Sequence, residues 1–239
     1  MNELTLPVIG IMRSPYKEKF GIPRQPNLVN IESYIELLAP YNDELAFEGI
    51  QDFSHLWLIW QFHDNKNQDN QKFKPQVRPP RLGGNKKVGV FATRSMYRPA
   101  PIGMSVVQFK KLFKEGDSLR LYVSGSDLLD GTPVIDIKPY IQYSDAVVEA
   151  TSGYAQDKPI QKKVVWSKTA EIQRNQLLDQ QCVAESLIKE LEQVLSFDPR
   201  PSYQNDPERI YGLSFGPLNV KFKVDTEVEI VALELCANE

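Results

Sequence analysis

The sequence predicts a mainly β protein: a compact β-barrel over residues 1–150, followed by a smaller α+β domain over residues 151–239. Three observations lead there. Short apolar or alternating runs, each bounded by Gly, Pro, Asn or Asp, fill the first half. That is the pattern of short strands joined by tight turns in a barrel or a strongly bent sheet. Near residues 145–158 the apolar rhythm stops, and TSGYAQDKP has the small, polar content of a linker. Beyond it, apolar residues recur at Leu177, Ala184, Leu187, Ile188, Leu191, Val194 and Leu195. This helical spacing predicts one amphipathic helix over residues 169–195.

Taken in order, residues 4–12 read as an opening strand that ends near Arg13-Ser14-Pro15. The loop over residues 17–27 follows, with Pro23 and Pro26 bracketing Arg24 and Gln25. Proline fixes φ and restricts the residue before it, so this loop presents two polar side chains from a stiff backbone. Residues 29–38 alternate as a strand, and 43–50 fit a short helix. FSHLWLIWQF, residues 53–62, is nearly continuous apolar and aromatic, which predicts a strand buried on both faces or one crossing a barrel core. His63 and Asp64 begin the polar stretch after it, a position suited to a pocket mouth, and residues 65–76 read as a mobile linker. Residues 88–92 form a short apolar strand amid loops. Strands at 103–112 and 118–124 flank Lys114-Glu115-Gly116-Asp117, a hairpin signal. Asp130-Gly131 turns the chain into a strand over 133–141. In the second half a proline-stiffened loop over 197–207 carries Arg200 and Tyr203, and 218–235 alternates as two strands around Asp225-Thr226.

At 239 residues and 41% apolar content the chain can build a substantial core. The net charge of −3 does not mark a general nucleic-acid binder, but its distribution is uneven. Residues 70–114 contain no acid and eleven basic residues, leaving 17 basic against 31 acidic residues elsewhere. A basic patch on an acidic body steers a polyanion to one face. Cys182 and Cys236 have no paired spacing, which fits a reducing compartment and neither a disulfide framework nor a zinc cluster. No leader or membrane-spanning run is evident, so a soluble intracellular protein with no membrane partner is expected. Metal motifs such as HExxH and CxxC are missing, as is a G-x-G-x-x-G after a strand, so no metal and no Rossmann nucleotide site are expected.

The chemistry concentrates in VRPPRLGGNKKVGVFATRSMYRPAPIGMS, residues 77–105. Pro79, Pro80, Pro99 and Pro101 stiffen it, and its glycines permit sharp turns. Rigid, donor-rich loops on a strand scaffold suit an anion or nucleotide, whereas a merely solvated basic surface gains little from such stiffness. Arg94 and Arg98 can grip a carboxylate or phosphate. Asp127 and Asp130 can accept hydrogen bonds from an amine, a ribose or an adenine amino group, or serve only the turn they flank. Met104 and Leu128 can cover an aromatic base. Of the two histidines, His55 lies within an aromatic strand and reads as structural, while His63 is the better ligand candidate.

These segments together resemble the TsaA-like (TrmO, YaeB) family: FGIPRQP, FSHLWLIWQFHD, RPPRLGGNKKVGVFATRSMYRPAPIG and SDLLDGTPVIDIKPYI occur in the family's order, and DPRPSY extends the resemblance into the second domain. The resemblance implies a small β-barrel methyltransferase, a homodimer, that uses S-adenosylmethionine to methylate N6 of threonylcarbamoylated adenosine 37 in the anticodon loop of tRNA. It implies cofactor contacts from Arg24, Gln25, Pro26, His63, Asp64, Arg94, Met104, Asp127, Leu128, Leu129 and Asp130. Arg78, Arg81, Lys86, Lys87, Arg98, Arg200 and Tyr203 are the expected tRNA contacts, and Asp64 and His63 are the candidate proton acceptors. Where the family commonly reads Arg-Ser-Pro-x-Arg-Pro-Asn-Pro, this chain has Met96 for the first proline and Ala100 for the asparagine. The competing readings are a methyltransferase acting on another substrate and a non-enzymatic RNA-binding or adaptor barrel.

Overall fold

A computed structural model describes residues 4–64, 73–201, 204 and 206–236. Six strands of the first half pair in a ring: β1 (Gly10–Arg13), β2 (Glu32–Leu37), β3 (His55–Gln61), β6 (Ile102–Glu115), β7 (Ser118–Ser124) and β8 (Pro133–Pro139). The order β1-β2-β7-β6-β3-β8 returns to β1, closing a barrel, with every pairing antiparallel. Closure removes the free edges that a sheet would otherwise expose. Alternation fills the interior: Met12, Ile35, Leu56, Leu58, Val107, Leu121, Val123 and Val134 are all buried in one cluster. Between β3 and β6 lies a two-stranded arm, β4 (Gln76–Val77) and β5 (Val88–Gly89).

The second half begins with a short helix, α1 (Gln142–Asp145), just after β8. Strand β9 (Val164–Trp166) is followed by α2 (Lys168–Asp179) and α3 (Glu185–Ser196), then by β10 (Tyr211–Phe215), β11 (Leu218–Val224) and β12 (Val228–Leu235). The sheet runs β10-β11-β12-β9, with β9 parallel to β12. The buried face of α3, with Ile188, Leu191, Val194 and Leu195, belongs to the core on this sheet. That core also takes in Tyr16, Val29 and Ile31 from the first half.

Several sequence expectations need correction. The opening strand is only β1; residues 4–9 precede it as irregular chain, although Ile9 N–H still donates to Val134 O (2.8 Å). Residues 43–50 form two 3₁₀ turns, not one helix, because Gly49 takes a left-handed φ of 83° between them. Strand β3 buries one face fully; His55, Trp57 and Ile59 on the other face are half-buried. The apolar run 88–92 pairs only over Val88–Gly89 and then turns as a 3₁₀ helix. The long amphipathic helix is two helices. Asp179, Gln180 and Gln181 offer no apolar side chain to continue the stripe, and Gln181 adopts a φ of 56°. The composition gave no warning of β9 or β10. Most of the 65–76 linker lies outside the described residues.

Candidate functional site

A cavity of about 500 Å³ opens where β3, the start of β6, the turn after β7, segment 93–98 and loop 17–27 meet. Its floor follows from strand register. Trp60 pairs with Gly103 across β3 and β6, and the indole lies over the glycine. A Cβ at Gly103 would fall 2.3 Å from the ring, so only glycine admits Trp60 in this position. Phe62 meets Trp60 edge-to-face, with ring centroids 4.4 Å apart. Trp57, Ile102 and Met104 add apolar wall, and Met104 is exposed at its edge.

Into this apolar wall projects the carboxyl of Asp127. Trp60 Nε1–H donates to Ser105 Oγ (3.1 Å), and Ser105 Oγ–H donates to Asp127 Oδ1 (2.6 Å). Ser105 is fully buried, so the relay holds the carboxyl in one orientation. Loss of water around Asp127 pushes its pKa up to about 6; the Ser105 hydrogen bond and the Arg94 charge oppose the shift without cancelling it. A carboxylate short of hydration beside aromatic rings is ready to accept from a polar ligand.

The rim is cationic and tied together by pairs. Arg94 Nη1–H donates to Gln25 Oε1 (2.6 Å), joining segment 93–98 to loop 17–27. Arg24 Nη2–H donates to Arg200 O (3.0 Å) in the second half. Lys19 Nζ lies 3.3 Å from Asp64 Oδ2 and also reaches the Asp64 carbonyl. Partial desolvation, helped by the Lys19 ammonium, lowers the His63 pKa below its usual value, with Asp64 opposing. The imidazole is therefore neutral at neutral pH and able to accept a proton.

The structure thus brings Arg24, Gln25, His63, Asp64, Arg94, Met104, Asp127 and Leu129 to one cavity. It does not bring all the expected residues. Leu128 is fully buried in the barrel core, because alternation after β7 turns it inward while Asp127 and Leu129 face the cavity. Asp130 lines a separate polar depression, where it accepts from Ser14 N–H (3.0 Å) and pairs with Lys17 (2.8 Å). Pro26 stands just beyond the lining residues of the loop.

Among the expected tRNA contacts, Arg98 instead lines the cavity, with Nη1–H donating to Thr93 O (2.9 Å). Arg200 is 8% exposed, and its guanidinium is committed to Asp198 and to Val224 O. Arg200 therefore cannot meet RNA without breaking this network. Tyr203 lies outside the described residues. Arg78, Arg81, Lys86 and Lys87 are exposed on the β4–β5 arm, with Arg81 also donating to Asp157 O. Trp60, Ser105, Lys19 and Thr93 belong to the site without being among the residues expected from sequence. Only the small residues Gly103 and Ser105 opposite an aromatic strand hinted at the first two.

Comparison with known proteins settles the ancestry of this arrangement. Residues 11–146 match the family description tRNA-methyltransferase O N-terminal domain. The chain belongs to the tRNA-methyltransferase O family. Residues 159–235 match the TrmO C-terminal domain, so both halves carry the family's pattern. The chain is 43% identical to the tRNA (adenine(37)-N6)-methyltransferase of Escherichia coli K12, covering 98% of this chain and 99% of the relative. It is 46% identical to a Pseudomonas aeruginosa protein named putative S-adenosylmethionine-dependent methyltransferase RcsF, over 89% of each chain. A crystal structure of TrmO from P. aeruginosa superimposes with a TM-score of 0.79 at 35% identity, covering 99% of each chain. Within this tRNA-methyltransferase O framework, the Met96 departure falls in the cavity wall, while Ala100 is exposed and contributes its carbonyl to Ile102 N–H (2.8 Å).

Proposed function

We propose that this chain is an S-adenosylmethionine-dependent methyltransferase acting on N6 of adenosine 37 in tRNA, with the threonylcarbamoylated adenosine as its substrate. The observation that carries the reading is the cavity itself, set in a chain that matches a relative of that name along nearly its whole length. Its volume of about 500 Å³ lies within the range of small-molecule sites. Trp60, Met104 and Leu129 offer apolar surface to a purine, Asp127 offers an acceptor, and Arg24 and Arg94 offer charge to a carboxylate. The donor, when bound, supplies an electrophilic methyl group on a sulfonium.

The chain's own part is orientation, exclusion of water and handling of one proton. The adenine N6 lone pair is delocalised, and an attached carbamoyl group makes its N–H more acidic. His63, neutral and at the rim, is better placed to take that proton than Asp64, which Lys19 already engages. The exposed cations of the β4–β5 arm would hold the anticodon-loop backbone. Unpaired loop bases need less energy to splay out than bases in a duplex. The barrel domain, residues 1–150, carries the donor pocket; residues 151–239 serve as an accessory in tRNA binding without Arg200. The working form is a homodimer in the cytoplasm. No described helix is long and apolar enough to cross a membrane. No group of described residues gathers three metal-ligating side chains.

The test is methyl transfer in vitro from labelled S-adenosylmethionine to tRNA carrying or lacking the threonylcarbamoyl group, with nucleosides resolved by mass spectrometry. Label on N6 of the modified adenosine is expected. Label elsewhere would make the chain a methyltransferase of another substrate. No transfer and no thermal stabilisation by S-adenosylhomocysteine would favour the adaptor reading.

A further inference from the structure

Loop 17–27 forms one wall of the cavity through Lys19, Arg24 and Gln25, yet much of its anchorage lies in the second half of the chain. Ser214 N–H donates to Glu18 Oε1 (2.7 Å). Phe20 packs near-parallel against the cross-strand pair Tyr211 and Phe222, at centroid distances of 6.4 and 6.2 Å. Gly21 sits so close to Leu213 that a Cβ would approach it to 2.5 Å. Upstream, Gly216 N–H donates to Pro15 O (2.7 Å).

The last anchor reaches a cavity side chain directly. Arg24 donates to the carbonyl of Arg200, and that carbonyl is held by an unusual turn. Asp198 adopts a φ of 47°, which few residues other than glycine take. Its two carboxylate oxygens accept from Arg200 Nε and Nη2, each at 2.9 Å, while Arg200 Nη1 donates to Val224 O (3.0 Å). A bidentate pair tied to a sheet carbonyl fixes the loop in one shape. Arg200, expected from sequence to be an RNA contact, presents its carbonyl to the cavity's own arginine.

We propose that the second domain is the mount of this cavity wall, and that Asp198 and Arg200 are positioning residues for methyl-donor binding that act through Arg24. The inference rests on the reading of the cavity as the donor pocket. Arg200→Met removes the pair with Asp198, leaving the Arg200 carbonyl unfixed and the Arg24 guanidinium free to swing away. Arg200→Lys keeps an ion pair with Asp198 but not the bidentate fork, so it restores part of the effect.

The experiment measures S-adenosylhomocysteine affinity by calorimetry and tRNA affinity by filter binding, in the full chain, well below each variant's Tm. Arg200→Met is expected to weaken S-adenosylhomocysteine by about tenfold, the loss of one charge-assisted hydrogen bond. Its tRNA affinity should stay within about twofold of the unsubstituted chain, as for a change away from an interface. Phe20→Leu, a milder trim of the same anchorage, should show the same split and serves if Arg200→Met fails to fold. Leu119→Ala, a core change in the barrel away from the cavity lining and from the second half, controls for lost stability and should leave both affinities alone.

Unchanged S-adenosylhomocysteine affinity in Arg200→Met and Phe20→Leu would overturn the proposal. So would an equal loss in Leu119→Ala, or loss of tRNA binding alone. No S-adenosylhomocysteine binding by the unsubstituted chain would instead overturn the donor-pocket reading, and this inference with it.

Discussion

Asp127 carries two opposed demands. Its carboxyl has an ordinary pKa of 3.8 and is pushed up to about 6 by burial. Below about pH 4 it is protonated in both folded and unfolded chains and has no effect on stability. Between the two values the folded chain keeps a proton that the unfolded chain has released, so stability falls as pH rises to about 6 and stays at its lowest above it. Asp127→Asn, which still accepts from Ser105, is expected to stabilise the protein by up to about 3 kcal/mol at pH 8, or up to about 6–12 °C in Tm. That gain should vanish near pH 4, as thermal melts at the two pH values will show. The same variant should bind S-adenosylhomocysteine more weakly at pH 8; tighter binding would remove Asp127 from the pocket. At Gly103 the demand is steric. Gly103→Ala forces the Trp60 ring out of place, an overpacking cost of about 1–3 kcal/mol. Indole fluorescence should shift and donor affinity should drop; a variant with unchanged fluorescence and affinity would show that the floor has room.

Among the elements, the β4–β5 arm separates substrate binding from donor binding. Lys86 and Lys87 are exposed on it and are not among the cavity-lining residues. Replacing both with Ala is expected to raise KM for tRNA and to lower the slope of log affinity against log salt by about 2, one per phosphate contact. Calorimetry with S-adenosylhomocysteine should show no change. Arg94→Ala should do the reverse, weakening the donor with a smaller change in salt slope; normal donor affinity there would take Arg94 out of the pocket. The exposure of the arm's cations was legible because charge patterning and proline punctuation are local properties. Leu128 and Asp130 were not, because facing is set by alternation and by which loop packs opposite, and a one-residue step reverses it. The burial of Arg200 is hidden for the same reason: an arginine in a proline-rich loop reads as solvent-facing until Asp198 and Val224 O are brought beside it by folding. Helices α2 and α3 read as one because Leu177 and Ala184 lie seven residues apart and fit a continuous stripe, while the left-handed Gln181 leaves no compositional mark.

For the whole molecule, the decisive feature is that the core of the second half is completed by residues of the first. Tyr16, Val29 and Ile31 precede or enter β2 of the barrel, yet they are buried among Leu191, Leu195, Phe215 and Phe222 of the second half. Tyr16 also bridges Phe215 through the backbone, and the two rings meet edge-to-face at 6.0 Å. A linker-like composition over 145–158 marks a boundary between two domains, but composition reports only the chain between them and not the surfaces that meet. With these three residues lent to it, the second half cannot unfold without exposing apolar side chains of the first, so the coupling is energetic as well as geometric. Leu191→Ala, a fully buried position on α3, should therefore lower the stability of the entire chain by about 2–5 kcal/mol. Differential scanning calorimetry is expected to show a single endotherm displaced to lower temperature, with S-adenosylhomocysteine moving that same endotherm upward. Two endotherms, only one displaced by the substitution and only the other by the ligand, would mean that the barrel and the α+β half fold separately and that the shared core is too weak to join them.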